Sequence, residues 1–186
     1  MTPAYMPKPP AGPWPTVNYL ARSTARSGSL LARRRVHLPR HNVGCRLPFT
    51  DGTAALVFRE TVVDRDPTRR PAVVLVRFTL LLVRGRGHAL FRAESILNTP
   101  LFVGFPGYVS TLWLGNDEKG FYRGISEWDG PLRAENYARI LRRVLEPFTV
   151  PGSIQYRVLP GIRRDDFLAN PVLATAAGAP ASTCTA

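Results

Sequence analysis

The alternation of apolar and polar residues changes period several times along the chain. Residues 72–83, AVVLVRFTLLLV, are apolar at both parities, which predicts a strand covered on both sides. RGRG follows as a turn, and residues 88–102, HALFRAESILNTPLF, open with helical spacing that places Leu90, Leu97 and Leu101 together until Pro100 bends or ends the helix. YVSTLWL and FYRGISEW read as two strands joined by GNDEKG, whose Asn116, Asp117 and Gly120 supply turn chemistry. Asp129 then offers an N-cap with Pro131 in the first turn. Tyr137, Ile140, Leu141, Val144, Leu145 and Phe148 recur at helical spacing, an apolar stripe. Pro147 and VPGS end that helix, and SIQYRVLPG is the last strand.

The order strand–helix–strand–strand–helix–strand predicts an α+β, ferredoxin-like βαββαβ antiparallel sheet with two helices on one face. The other face is informative. Tyr108, Leu112 and Leu114 are assigned to one side of their strand, and Val109 and Trp113 to the other, so both are apolar. A solvated second face would be more polar. The expectation is that a second copy of the chain covers it, giving a homodimer, a dimeric α/β barrel.

Before this unit the pattern dissolves. Residues 1–52 carry dense Pro, Gly, Ser and Arg, and are expected to be an irregular, disordered basic arm. Residues 53–71 begin with TAALVFRETVVD, an extra strand or extended linker. The ferredoxin-like domain is expected over 72–162 and a C-terminal tail over 163–186. The 186 residues suit one domain with tails.

Charge sharpens this division. Of the net +12, the first fifty residues hold +8 without one acid, residues 51–70 sum to zero, and the remainder holds +4. Arginines outnumber lysines 23 to 2, which together with abundant Ala, Pro, Gly and Val reads as a GC-rich coding bias. Only non-specific nucleic-acid contact by the arm is expected from the charge. No apolar run approaches a membrane span, and no signal-peptide core follows the basic start. Cys45 and Cys184 form no C-x-x-C, so neither a zinc site nor a disulfide framework is indicated, and a cytoplasmic setting is the default.

The stretch FPGYVSTLWL…KGFYRGISEWDGPLRAENYA resembles the signature region of the YdhR-like monooxygenases, within the antibiotic-biosynthesis-monooxygenase group of dimeric α/β barrels. Pro106, Gly107, Tyr108, Trp113, Asp117, Gly124, Asp129, Ala134 and Tyr137 carry the likeness, which spans residues 72–160. GHALF, NTPLF, GFPG and VPGSI..VLPG also resemble a set of uncharacterised actinobacterial proteins. The resemblance implies an aromatic or polyketide-type substrate between helices and sheet, and no bound cofactor or reduced flavin supplied externally. It carries over no catalytic residue.

Such a site needs an apolar slot with a few polar groups that orient a ring and accept a proton. His88, Asn98, Tyr122 and Trp128 are the catalytic candidates, with Trp113 and Tyr156 as substrate contacts. His88 is the only imidazole of the predicted domain. Arg84 and Arg86, beside glycine amides near a helix start, could hold a flavin phosphate or an acidic substrate. No metal site is expected, since His37 and His41 flank Pro39 with no carboxylate near in sequence. Two further readings stand beside the oxygenase. One is a non-catalytic ligand-binding or assembly module on the same barrel. The other is RNA binding, which the strand order permits but Ile125, Ser126 and Glu127 disfavour where stacking aromatics belong.

Overall fold

The computed structural model describes residues 14–66, 68–81 and 102–169. Its elements are helix α1 (Trp14–Ala32), strands β1 (Val36–His37), β2 (Arg46–Pro48), β3 (Ala54–Val63), β4 (Pro71–Thr79), β5 (Tyr108–Leu114) and β6 (Phe121–Asp129), helix α2 (Pro131–Leu145), strand β7 (Gln155–Pro160) and helix α3 (Arg164–Ala169). The strands make one antiparallel sheet in the order β1-β3-β5-β6-β4-β7, with β2 paired to the start of β3. The run β5-β6-β4-β7 is the strand arrangement of the ferredoxin-like unit, so the α+β expectation holds. β3 extends that unit along the free edge of β5. Residues 82–101, and with them the expected first helix of the unit, lie outside the described residues.

One face of the sheet carries α2. Its apolar stripe buries Tyr137 and Leu141 together with Ala134 and Ala138, whereas Phe148 just beyond it is exposed. α1 joins the same layer. Gly104 is why it fits: a Cβ there would stand 1.9 Å from the Ser23 carbonyl oxygen and 2.6 Å from Ser27 Oγ. Both serines are buried, and Tyr19 and Leu20 pack into the core that holds Phe105 and Trp128. The expected disordered arm is therefore corrected over α1, β1 and β2, which are ordered elements of the fold.

The opposite face is closed by the chain itself. Cys45, Leu47 and Phe49 fold under Val57, Leu112, Leu114 and Ile125, and Phe167 of α3 completes the cluster with no exposed surface. Burying a side chain of that size contributes about 1.5–3 kcal/mol. The inference that a twin subunit must supply this cover is corrected on the β3–β5–β6 half. Cys45 is disulfide-bonded, against the sequence expectation, and Cys184, the only other cysteine of the chain, lies outside the described residues. α3 opens the stretch assigned to the C-terminal tail.

Two local details differ from the pattern reading. The register of β5 on β6 shifts between Tyr108 and Ser110, so Val109 is an extra residue. This bulge rotates Tyr108 onto the α2 side beside Trp128 and leaves Leu112 and Leu114 on the other. Asp129 does not cap α2. Gly130, at φ 105°, is the N-cap residue, with no side-chain cap bond. The Asp129 carboxylate instead accepts from Thr68 at 2.5 Å, Arg65 at 3.0 Å and Arg133 at 2.7 Å.

Candidate functional site

Between α2 and the sheet lies a cavity of about 70 Å³. β4 contributes Phe78, β5 contributes Thr111 and Trp113, β6 contributes Tyr122, and α2 closes it with Tyr137 and Leu141. These side chains converge because residues two apart on a strand share a face. Val76, Gly124 and Trp113 lie side by side across three strands. Gly124 keeps the floor open: a Cβ there would meet Val76 Cγ1 at 3.1 Å.

The rings are fixed by their neighbours. Tyr122 stacks on Phe78 with centroids 5.8 Å apart. Trp113 donates from Nε1 to Thr61 Oγ1 at 3.2 Å. The Arg59 guanidinium lies 4.5 Å from the Trp113 ring centroid, a cation–π contact in a buried setting. Burial pulls the Arg59 pKa down to about 10. Burial also holds the Tyr137 and Tyr108 phenols above their ordinary range. Ser126, on the cavity wall, accepts from Trp128 Nε1 at 2.9 Å.

The lining sets aromatic rings beside the side chains of Thr111 and Ser126 in a space much smaller than an ordinary small-molecule site. Among the described residues lining the cavity there is no histidine and no carboxylate. The candidates from the sequence divide accordingly. Trp113 and Tyr122 meet at the cavity. Trp128 stands behind it with no exposed surface, stacked on Tyr137 at 4.3 Å and edge-on to Tyr108 and Phe105. Tyr156 donates to Glu135 Oε1 at 3.0 Å and lines a different groove, of about 740 Å³, between β4, β6 and β7. His88, Asn98, Arg84 and Arg86 lie outside the described residues. Among the described residues no cluster of three or more metal-ligating side chains occurs, and no helix is long and apolar enough to cross a membrane.

Sequence reasoning missed Arg59 and Thr111. Arg59 follows a register shift between Val57 and Arg59, which breaks the period-2 count that would have assigned its face. Thr111, between Ser110 and Leu112, carried no signal of its own.

No family model and no curated protein sequence matches the chain. Among solved structures, an uncharacterised ferredoxin-fold protein of Listeria monocytogenes 4b F2365, related to antibiotic biosynthesis monooxygenases, is 15% identical, with a TM-score of 0.44 over 60% of this chain and 66% of that one. A monooxygenase-like protein of Listeria innocua is 16% identical, with a TM-score of 0.41 over 61% of this chain and 68% of that one. A haem-degrading enzyme of Listeria monocytogenes is 15% identical, with a TM-score of 0.37 over 66% of this chain and 95% of that one. The alignments to the first two thus span about two thirds of those chains.

Proposed function

We propose that this chain is a small monooxygenase-like protein that takes a flat aromatic or polyketide-type molecule between α2 and the sheet and oxidises it, with no bound cofactor or with reduced flavin supplied externally. The supporting observation is the aromatic cavity on the α2 side, lined by Trp113, Tyr122 and Tyr137 together with Thr111. Ring-lined slots with few polar groups suit planar apolar ligands. A proton acceptor would have to come from residues 82–101, which hold His88, or from the solvent.

A second reading, a non-catalytic ligand-binding or assembly module, is favoured by the size of the cavity. Small-molecule sites span about 300 Å³ or more, and this one holds about 70 Å³. Homodimer formation belongs to the same proposal, and the half of the sheet left for a second copy is the β4–β7 side, where Leu75 and Leu159 are half-buried.

Oxygen uptake with anthrone or a quinol, with and without reduced flavin, tests the reading. Turnover that Trp113→Ala lowers at least roughly tenfold supports it. Uptake equal to the protein-free blank, with the aromatic compound still bound and binding weakened by Trp113→Ala, favours the module. Light scattering of the purified chain decides the oligomeric state independently.

A further inference from the structure

A second concave site lies at the end of the sheet, on residues that the oxygenase reading does not use. There the chain leaves β3, enters β4 and finishes β6, and Arg65 and Thr68 tie these ends together through Asp129. The pocket encloses about 440 Å³. Arg35, Arg65, Arg69 and Arg70 line it against only Asp66 and Asp129.

The charge balance within it is unusual. Asp129 is already engaged: one oxygen accepts from Thr68, and the other from both Arg65 and Arg133. Three of its roughly four acceptor positions are thus taken, none of them by Arg69 or Arg70 at the mouth. Arg69 and Arg70 are exposed and make no side-chain ion pair or hydrogen bond among the described residues. Arg65 is two-thirds buried or more, donates to the Tyr108 carbonyl at 2.9 Å, and keeps a buried Nε with no hydrogen-bond partner. Burial, and then the like charges of Arg133 and Arg26, pull the Arg65 guanidinium pKa down even though Asp129 supports it.

We propose that this pocket binds the phosphate monoester group of a small molecule, as a dianion held by Arg65, Arg69 and Arg70. Four guanidinium groups line the pocket against two carboxylates, and Arg133 shares Asp129 as well, so positive charge exceeds negative by at least two and favours a dianion over a monoanion. Planar guanidinium forks match phosphate oxygens two at a time. The pocket volume exceeds that of a bare phosphate, leaving room for an organic substituent on the open side.

Calorimetric titration of the full chain with phenyl phosphate, inorganic phosphate and phenyl sulfate tests this. Phenyl phosphate is expected to bind, more tightly at pH 7.5 than at pH 5, because its second ionisation falls near pH 6 (about 6 for phosphate monoesters generally). The monoanionic phenyl sulfate is expected to bind at least roughly tenfold more weakly. Arg69→Ala/Arg70→Ala is expected to weaken phenyl phosphate at least about tenfold with its melting curve unchanged, because both side chains are exposed. Binding that is equal for sulfate and phosphate, unaffected by the double substitution, or absent overturns the proposal. A third arm uses a single-stranded RNA oligonucleotide: if the double substitution abolishes a strongly salt-dependent RNA interaction while phenyl phosphate never binds, the site serves a nucleic-acid backbone instead. None of these results depends on oxygen uptake, so each reading can fail alone.

Discussion

On the α2 side of the sheet, Trp128 stacks on Tyr137 and a ladder of rings runs through Phe105, Tyr108 and Phe102. On the other side the largest buried groups include a carboxylate. Glu60 has no exposed surface, with Arg164 Nη1 2.8 Å from one oxygen, an ion pair outside hydrogen-bond alignment, and Asn42 donating to the other at 2.9 Å. Glu127 accepts from the Arg164 backbone N–H at 2.9 Å, tying α3 to β6. One face is thus closed mainly by apolar packing, which tolerates sliding. The other joins two distant parts of the chain through groups whose partners are specified, which it does not. A cavity that could change shape belongs on the first.

Breaking the ionic side has the largest expected effect. Arg164→Met leaves Glu60 buried without its guanidinium and is expected to cost about 3–5 kcal/mol. Adding Glu60→Leu should recover most of that loss, as measured by urea unfolding. A single and a double variant of equal stability would mean the pair is incidental to closure.

Crowding the aromatic side comes next. Gly104→Ala drives a methyl group into the α1 backbone, with an expected cost of about 1–3 kcal/mol and earlier proteolysis within Trp14–Ala32. Unchanged cleavage there would show that α1 contributes little to this layer.

The smallest effect separates the faces by pH. Burial raises Asp51 and Asp117, but hydrogen bonds from Thr53 and Arg123 to Asp51, and from Arg123 and the Phe121 N–H to Asp117, outweigh it and hold both below the usual carboxylate range. Their contribution is present above pH ~3.9 and is lost as pH falls through the folded values, an acid limb of the stability curve. Tyr108 and Tyr137 are raised by burial, so their contribution is intact below pH ~10 and lost as pH rises beyond it. Asp51→Asn should flatten the acid limb alone and Tyr137→Phe the alkaline limb alone, read as urea midpoints across pH. Both limbs moving together in either variant would erase the distinction.

How much of this could be read from the sequence follows the same division. The α2 stripe was legible because Tyr137 and Leu141 are apolar and evenly spaced. The order of β4 to β7 followed from the strand patterns, the turn residues and the helical stripe between them. α1 was not legible because its buried positions include Ser23 and Ser27, whose hydroxyls look solvent-facing until Gly104 approaches within contact distance. The cover over Leu112 and Ile125 was hidden for another reason. Cys45, Leu47 and Phe49 alternate over only five residues, broken by Pro48, and Phe167 follows the charged run of residues 163–166, so neither stretch is long enough to announce a buried element. At the candidate site, Trp113 and Tyr122 were visible as strand aromatics. The bulges at Phe58 and Val109 reassigned Arg59 and Tyr108 to faces that a strict count of two denies them. Asp129 looked like a helix cap and serves as the hub of an arginine cluster.

The hairpin of β2 and β3 also bears on where the unit begins. Because Leu47 and Phe49 seal one side while β3 occupies the rim of β5, trimming the chain back to the four-strand repeat would uncover Leu112, Leu114 and Ile125 and bare a hydrogen-bonding edge at once. The shortest soluble version of this protein therefore starts well upstream of its most recognisable stretch.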